Sequence, residues 1–150
     1  MKTLITGVSS RIGIALSAQL LAAGESVVGV DTRQPDGAAP GLDFLEADVR
    51  DLNVLNIAAN GCDNGIHLAV NADQTRPTDI FETNVVGAYN FLTAAQNNDF
   101  SNSIVASSAP VHLKPEIVET ACQLPSSNGP DHAYDLSKAL QEAVARDFHH

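Results

Sequence analysis

Positive charge is scarce in this chain. Eight Lys and Arg stand against eighteen Asp and Glu, for a net charge of -10, and the eight form no cluster. That balance argues against a nucleic-acid backbone or an anionic membrane surface as partner. Cysteine is nearly absent. Cys62 and Cys122 have no metal-ligand spacing and are too few for a disulfide framework, so they read as reduced cytosolic thiols, with no metal site. No apolar run approaches membrane-spanning length. A strand begins at residue 2, which leaves no room for a signal peptide and sets the expectation of a soluble, cytoplasmic protein. At 150 residues and 44% hydrophobic composition, residues 1–150 read as one globular domain able to bury a single core.

What is present is organised around Met1 to Asp31. Lys2–Thr6 is a short, β-branched strand, and Gly7 to Gly13 a turn of small residues. A helix follows from Ile14 to Ala22, with Gly24 as its C-terminal cap. The strand Ser26–Val30 then delivers Asp31. Strand, glycine turn, helix, strand and acid make the first half of a dinucleotide-binding βαβ unit. Gly7 permits the sharp turn and Gly13 the close packing of the helix. The backbone N–H groups of Ser10, Arg11, Ile12 and Gly13 would face a pyrophosphate at the positive end of the helix dipole. Asp31 would accept from the adenosine ribose hydroxyls and repel a 2′-phosphate, which favours NAD over NADP. In either glycine register the middle glycine is replaced, by Ser10 or by Arg11. Ser10 is the milder change, because its hydroxyl can itself donate to a phosphate.

Farther along, 33–41 is a Pro/Gly loop, 42–47 a strand, and Asp51 the N-cap of a helix over 52–59. Asp48 lies where it could accept from the adenine amino group, with Val49 on the ring, or it is only a turn residue. Residues 66–70 read as a central strand in which His67 is a satisfied core histidine. Residues 77–98 are the strongest helix: Phe81, Val85, Ala88, Leu92 and Ala95 form one apolar stripe. Asn84 lies beside that stripe, either as a structural tie or as a site residue. The strand 103–106 ends in Ser107-Ser108, hydroxyls at the carboxyl edge of the sheet. The loop 112–131 is long enough to be a binding loop. On a last helix, 131–150, Tyr134 and Lys138 stand one turn apart on one face, Leu136, Leu140, Val144 and Phe148 sweep a second, and Asp135, Glu142, Arg146 and His149 form a solvated third. A lysine so placed stabilises a phenolate and brings a tyrosine toward proton transfer at neutral pH. With two tyrosines and three lysines in the chain, chance would supply this pair in roughly one such composition in twenty-five.

Thr6-Gly7 to Gly13, Asp31, Asp48-Val49, His67-Leu68-Ala69, Asn84-Val85-x-Gly87-x-x-Asn90, Ser107-Ser108 and Tyr134-x-x-x-Lys138 occur in one order. In that order the chain resembles the short-chain dehydrogenase/reductase superfamily, in particular its extended branch, the NAD-dependent epimerase/dehydratases. The resemblance implies an α/β doubly wound parallel sheet, the Rossmann fold, of order 3-2-1-4-5, with NAD at the switch point beside the first strand. It implies Tyr134 as acid/base, Lys138 as its partner and a nicotinamide-ribose ligand, Ser108 as the group that orients a reacting hydroxyl or carbonyl, Asn84 as support for a water path, and Leu68 and Ala69 as cofactor contacts. The substrate would be sugar-like, a nucleotide sugar or sugar acid, and the assembly a homodimer through the helices at 77–98 and 131–148. Gly61-Cys62-Asp63, Ala106-Ser107-Ser108 and Asp131 are similar to uronate dehydrogenases within that branch. Extended members run to about twice this length, and the chain stops at His150, where the last two histidines are native or a tag remnant. It therefore reads as the cofactor half of such an enzyme, without the substrate lobe. The rivals are a non-catalytic NAD-binding or sensing module and a flavodoxin-like domain without a nucleotide, against which Asp31 and Asp48-Val49 speak.

Overall fold

A computed structural model describes residues 1–109, Val111 and 133–148. Five strands form one parallel sheet: β1 (Lys2–Thr6), β2 (Ser26–Asp31), β3 (Asp43–Glu46), β4 (Asn64–His67) and β5 (Asn102–Val105), in the spatial order β3-β2-β1-β4-β5. The expected order holds, with β1 at the centre. Its neighbours run Lys2↔Ser26 to Thr6↔Val30 on one side and Thr3↔Asn64 to Thr6↔His67 on the other.

The helices are set by local chemistry. Ser10 caps α1 (Arg11–Ala22), its Oγ accepting from Gly13 N at 3.0 Å, so the helix starts three residues before the apolar pattern does. Asp51 caps α2 (Leu52–Ala59) as expected, its carboxylate accepting from Asn53 N and Val54 N. The helix expected over 77–98 has an irregular middle: α3 (Pro77–Phe81), a π turn (Glu82–Val86) and α4 (Gly87–Asn97). Such turns are single insertions in an α-helix and concentrate at functional sites. The last described helix, α5, spans Ala133–Asp147. Asp131, His149, His150, Cys122 and the loop 112–131 lie outside the described residues.

The fourth strand is a correction. It was expected at 66–70, on apolarity. The ladder instead ends at His67, where Leu68 N makes a last bond to Thr6 O at 2.9 Å. The apolar residues after it leave the sheet and are used elsewhere, as described below.

The sheet buries both faces. Leu4, Val28, Val30, Leu55 and Phe91 fill the side that carries α2, α4 and α5. Ile5, Val8 and Val27 fill the other, packed by Leu16, Leu20 and Leu21 of α1. Phe91 comes so close to β4 that a Cβ at Gly65 would sit 2.7 Å from its ring. Toward the carboxyl ends of β1 and β4 the interior turns polar: Thr6, His67, Asn84, Ser137, Lys138 and Gln141 are all buried. No described helix is long and apolar enough to cross a membrane.

Candidate functional site

A cleft of about 440 Å³ opens at the carboxyl ends of the strands, where the chain order reverses beside β1. Five segments wall it: the turn after β1, the end of β2, the turn after β3, the exit of β4 and, through Thr83, the π turn. A doubly wound sheet places its ligands in such a crevice.

The turn after β1 is built on two glycines. Gly7 has φ +73°, and a Cβ there would lie 2.5 Å from Ala69 N, so the left-handed turn and the close passage of Leu68–Ala69 both require glycine. A Cβ at Gly13 would lie 2.6 Å from Gly7 O and Val8 Cα, so α1 is seated on the turn itself. Ser10 lines the cleft; its Oγ accepts the Gly13 N–H that caps α1, which leaves its O–H to donate. Arg11 and Ile12 stand outside the cleft wall with exposed side chains. Their amide N–H groups, in the first turn of α1, have no partner among the described residues.

At the end of β2, Asp31 lines the cleft. Its Oδ2 accepts from Ser9 N at 2.9 Å and its Oδ1 from Thr32 N at 2.8 Å, which fixes the carboxylate in place. Leu68 and Ala69, just past the end of β4, line the same cleft. That is the use of the apolar residues beyond the ladder.

Asp48 and Val49 line the cleft, and Asp48 is also held in its turn. Its Oδ2 accepts from Arg50 Nε at 2.9 Å and Nη2 at 2.6 Å, and its Oδ1 from Arg50 N at 2.9 Å. These bonds from Arg50 hold the Asp48 carboxyl below its ordinary range despite partial burial. Arg50 Nη1 also donates to Glu82 Oε2 at 2.9 Å. Sequence reasoning missed Arg50, whose only signal was its place two residues after Asp48. Asn90, quoted in the motif without a role, donates to Val49 O and Arg50 O and clamps the same turn to α4. Gly87 adds close packing, since a Cβ there would meet Val49 Cγ2 at 2.6 Å.

The second group of residues flanks the cleft without lining it. Tyr134, half-buried, and Lys138, buried, stand one turn apart on α5. Lys138 Nζ donates to Ala106 O at 2.8 Å and to Gln141 Oε1 at 2.7 Å. Burial lowers its pKa to about 8. The two serines after β5 divide: Ser107 Oγ donates to Glu142 Oε1, while Ser108 Oγ has no partner among the described residues. Asn84 is fully buried in the π turn. Its Oδ1 accepts from Asn71 N at 2.7 Å, and its Nδ2 donates to Asn71 O and to Ser137 Oγ, each at 2.9 Å. Ser137 Oγ in turn donates to Tyr134 O at 2.6 Å. Asn71 lines the cleft. Asn84 thus ties the cleft wall to α5. Ser137 and Gln141 carried no signal in sequence, being polar residues between two motif positions.

His67 is fully buried, with Nδ1 2.7 Å from Thr6 Oγ1 and its ring stacked 5.2 Å from that of Phe91. Only one nitrogen is satisfied: Nε2 has no partner among the described residues. Burial, helped by the charge of Lys138, lowers its pKa to about 3.

A family model of the NAD-dependent epimerase/dehydratases matches residues 3–150. The chain belongs to that family. It lies within the short-chain dehydrogenase/reductase superfamily, and its parallel sheet is the Rossmann fold of that group. An L-arabinose 1-dehydrogenase (NAD(P)(+)) of Haloferax volcanii is 30% identical over 93% of this chain and 58% of its own length. A uronate dehydrogenase of Agrobacterium fabrum is 27% identical over 97% of this chain and 54% of its own. A short-chain dehydrogenase/reductase superfamily protein of Agrobacterium tumefaciens, crystallised with bound NAD, superposes with a TM-score of 0.78 at 26% identity, over 98% of this chain and 44% of that one. The chain spans about half the length of these relatives. NAD is the cofactor of the family, and the cleft fits it: a turn that admits no Cβ at Gly7, open amide donors at the start of α1, and a held carboxylate at Asp31.

Proposed function

We propose that this chain is the cofactor-binding domain of an NAD-dependent oxidoreductase or epimerase acting on a hydroxyl or carbonyl of a sugar-like substrate, a nucleotide sugar or a sugar acid. The observation that carries the reading is the continuity from cleft to α5: Asn71 on the cleft wall, Asn84 in the π turn, and Ser137 between Tyr134 and Lys138. The sugar dehydrogenases among its relatives support the substrate class.

In this reading the turn from Gly7 to Gly13 holds the pyrophosphate on backbone N–H groups, with the Ser10 O–H beside them. Asp31 holds the adenosine ribose, and Val49, Leu68 and Ala69 pack on the nucleotide. NAD, when bound, supplies the hydride acceptor or donor. Tyr134 takes the proton from the substrate hydroxyl, or returns it, and Lys138 places a positive charge one helical turn away. Ser108, whose hydroxyl has no partner among the described residues, orients the substrate oxygen. Asn84 fixes the helix that carries the pair. A second reading, an NAD-binding module without turnover, is favoured by one observation: the cleft is walled without Tyr134, Lys138 or Ser108.

Cofactor choice tests the domain by itself. Asp31 puts a carboxylate where a 2′-phosphate would lie, so NAD is expected to bind at least tenfold tighter than NADP, a difference of about 1.4 kcal/mol. Asp31→Ala narrows that ratio. Calorimetry on the 150-residue chain that finds NADP equal or tighter would remove Asp31 from the ribose.

Association follows from two helices. Leu140, in the apolar sweep of α5, is exposed, as are Val86 and Tyr89 on the helix beside it. We expect a homodimer that covers these side chains. Sedimentation at several concentrations checks this, and a constant monomer mass rejects it.

A further inference from the structure

Lys138 is a buried cation with no carboxylate on it among the described residues. Its Nζ carries three N–H donors. Ala106 O takes one at 2.8 Å and Gln141 Oε1 a second at 2.7 Å. Carboxylates on the surrounding elements are engaged elsewhere. Asp79 of α3 pairs with Arg76, Glu82 of the π turn with Arg50, and Glu142 of α5 with Ser107 and Arg146. The other titratable groups nearby are Tyr89 of α4, Tyr134 on α5 itself, and His67 of β4, which is neutral. Gln141 is 1% exposed, and its Nε2 has no partner among the described residues. A buried orphan amide of that kind costs about 1–3 kcal/mol and calls for a reason. The amide cannot simply turn over to find one, because its NH₂ would then face the ammonium donors.

We infer that Gln141 is the positioning residue for Lys138: a neutral acceptor that, with Ala106 O, aims the ammonium and leaves its charge uncancelled and its third N–H open. A carboxylate at the same place would grip the ammonium equally well and neutralise it. An apolar residue would preserve the charge and lose the aim. An amide alone does both jobs, which accounts for a buried glutamine with half its hydrogen bonds unmade. The inference deepens the role proposed above for Lys138 and rests on that reading for its functional meaning, but the grip on the ammonium is a property of this chain and is measurable without turnover.

The chain has three lysines, so the side-chain resonances of Lys138 are assignable by NMR. In the wild type Lys138 is expected to titrate near 8. Gln141→Glu adds a buried opposite charge in contact and is expected to raise that midpoint by about one pH unit or more. Gln141→Met, of similar volume and without an acceptor, is expected to lower it and to weaken NAD binding several-fold. Should the glutamate variant fail to fold, the methionine variant and the wild type decide. A wild-type midpoint at the ordinary value of about 10.4, or one unmoved by Gln141→Met, overturns the inference. If the midpoint moves while NAD affinity does not, Gln141 does position Lys138, and it is the assignment of Lys138 to the cofactor that fails.

Discussion

Tyr134→Phe is expected to cut turnover by roughly 10²–10⁴-fold, the usual worth of a positioned acid/base, and to leave NAD affinity nearly unchanged. The change deletes one hydroxyl. It leaves the backbone carbonyl of residue 134, which receives the Ser137 bond, and it touches no wall of the cleft. Lys138→Ala should do more, since it removes a charge held at Ala106 and Gln141 as well as a proposed ribose contact. Activity and affinity then fall together. Turnover is to be measured on any longer polypeptide that contains this domain, because the chain spans about half the length of its relatives, and affinity on the chain itself. Turnover of Tyr134→Phe within twofold of wild type would sink the catalytic reading of α5. The NAD-binding module would then take its place.

The domain is also expected to lose about 2–3 kcal/mol of stability between pH 7 and pH 4.5 through His67 alone. Folded, this imidazole has its pKa lowered from 6.5 to about 3 by burial and by the charge of Lys138. Unfolded, it takes up a proton below about 6.5. Between those two values the unfolded chain binds more protons, so the stabilisation is complete above 6.5 and is lost as pH falls toward 3. Each pH unit in that window is worth about 1.4 kcal/mol. His67→Asn removes the titration and can keep a bond to Thr6. Denaturant unfolding at the two pH values should show a smaller loss in the variant than in the wild type, even though the variant starts less stable for want of the Phe91 stack. Equal losses in the two proteins would place the acid sensitivity elsewhere. His67 was read in sequence as a satisfied core histidine. It is a core histidine, bonded at one nitrogen among the described residues, and its burial beside the charge of Lys138 is why acid should cost so much.

Local chemistry determined much of this protein. A strand, a glycine turn, a helix and an acid are features of neighbouring residues, legible because Gly7 and Gly13 sit where no Cβ fits and because Asp51 caps the helix that follows it. Family order extended that reading to the sheet order and to the family itself. Boundaries fared worse where apolarity served two purposes. Leu68 and Ala69 are as apolar as a strand, yet they belong to the cleft, since the ladder ends with the pairing partners of β1.

Pairings across the chain were decided only by tertiary structure. Arg50 closes on Asp48 and holds it in its turn, a pairing that sequence did not signal. The partners of the Asn84 amide, Asn71 and Ser137, come from two other segments of the chain. Ser107 and Ser108 are indistinguishable in sequence, and a glutamate from α5, 35 residues away, commits one, while the other has no partner among the described residues. The polar burial of Ser137, Lys138 and Gln141 has no pattern in sequence, because periodicity records where apolar residues recur and carries no trace of a polar face turned inward. Sequence spacing placed the phenol and the ammonium one turn apart. Which acceptors hold that ammonium, and that none among the described residues is a carboxylate, depends on β5 and α5 meeting in space.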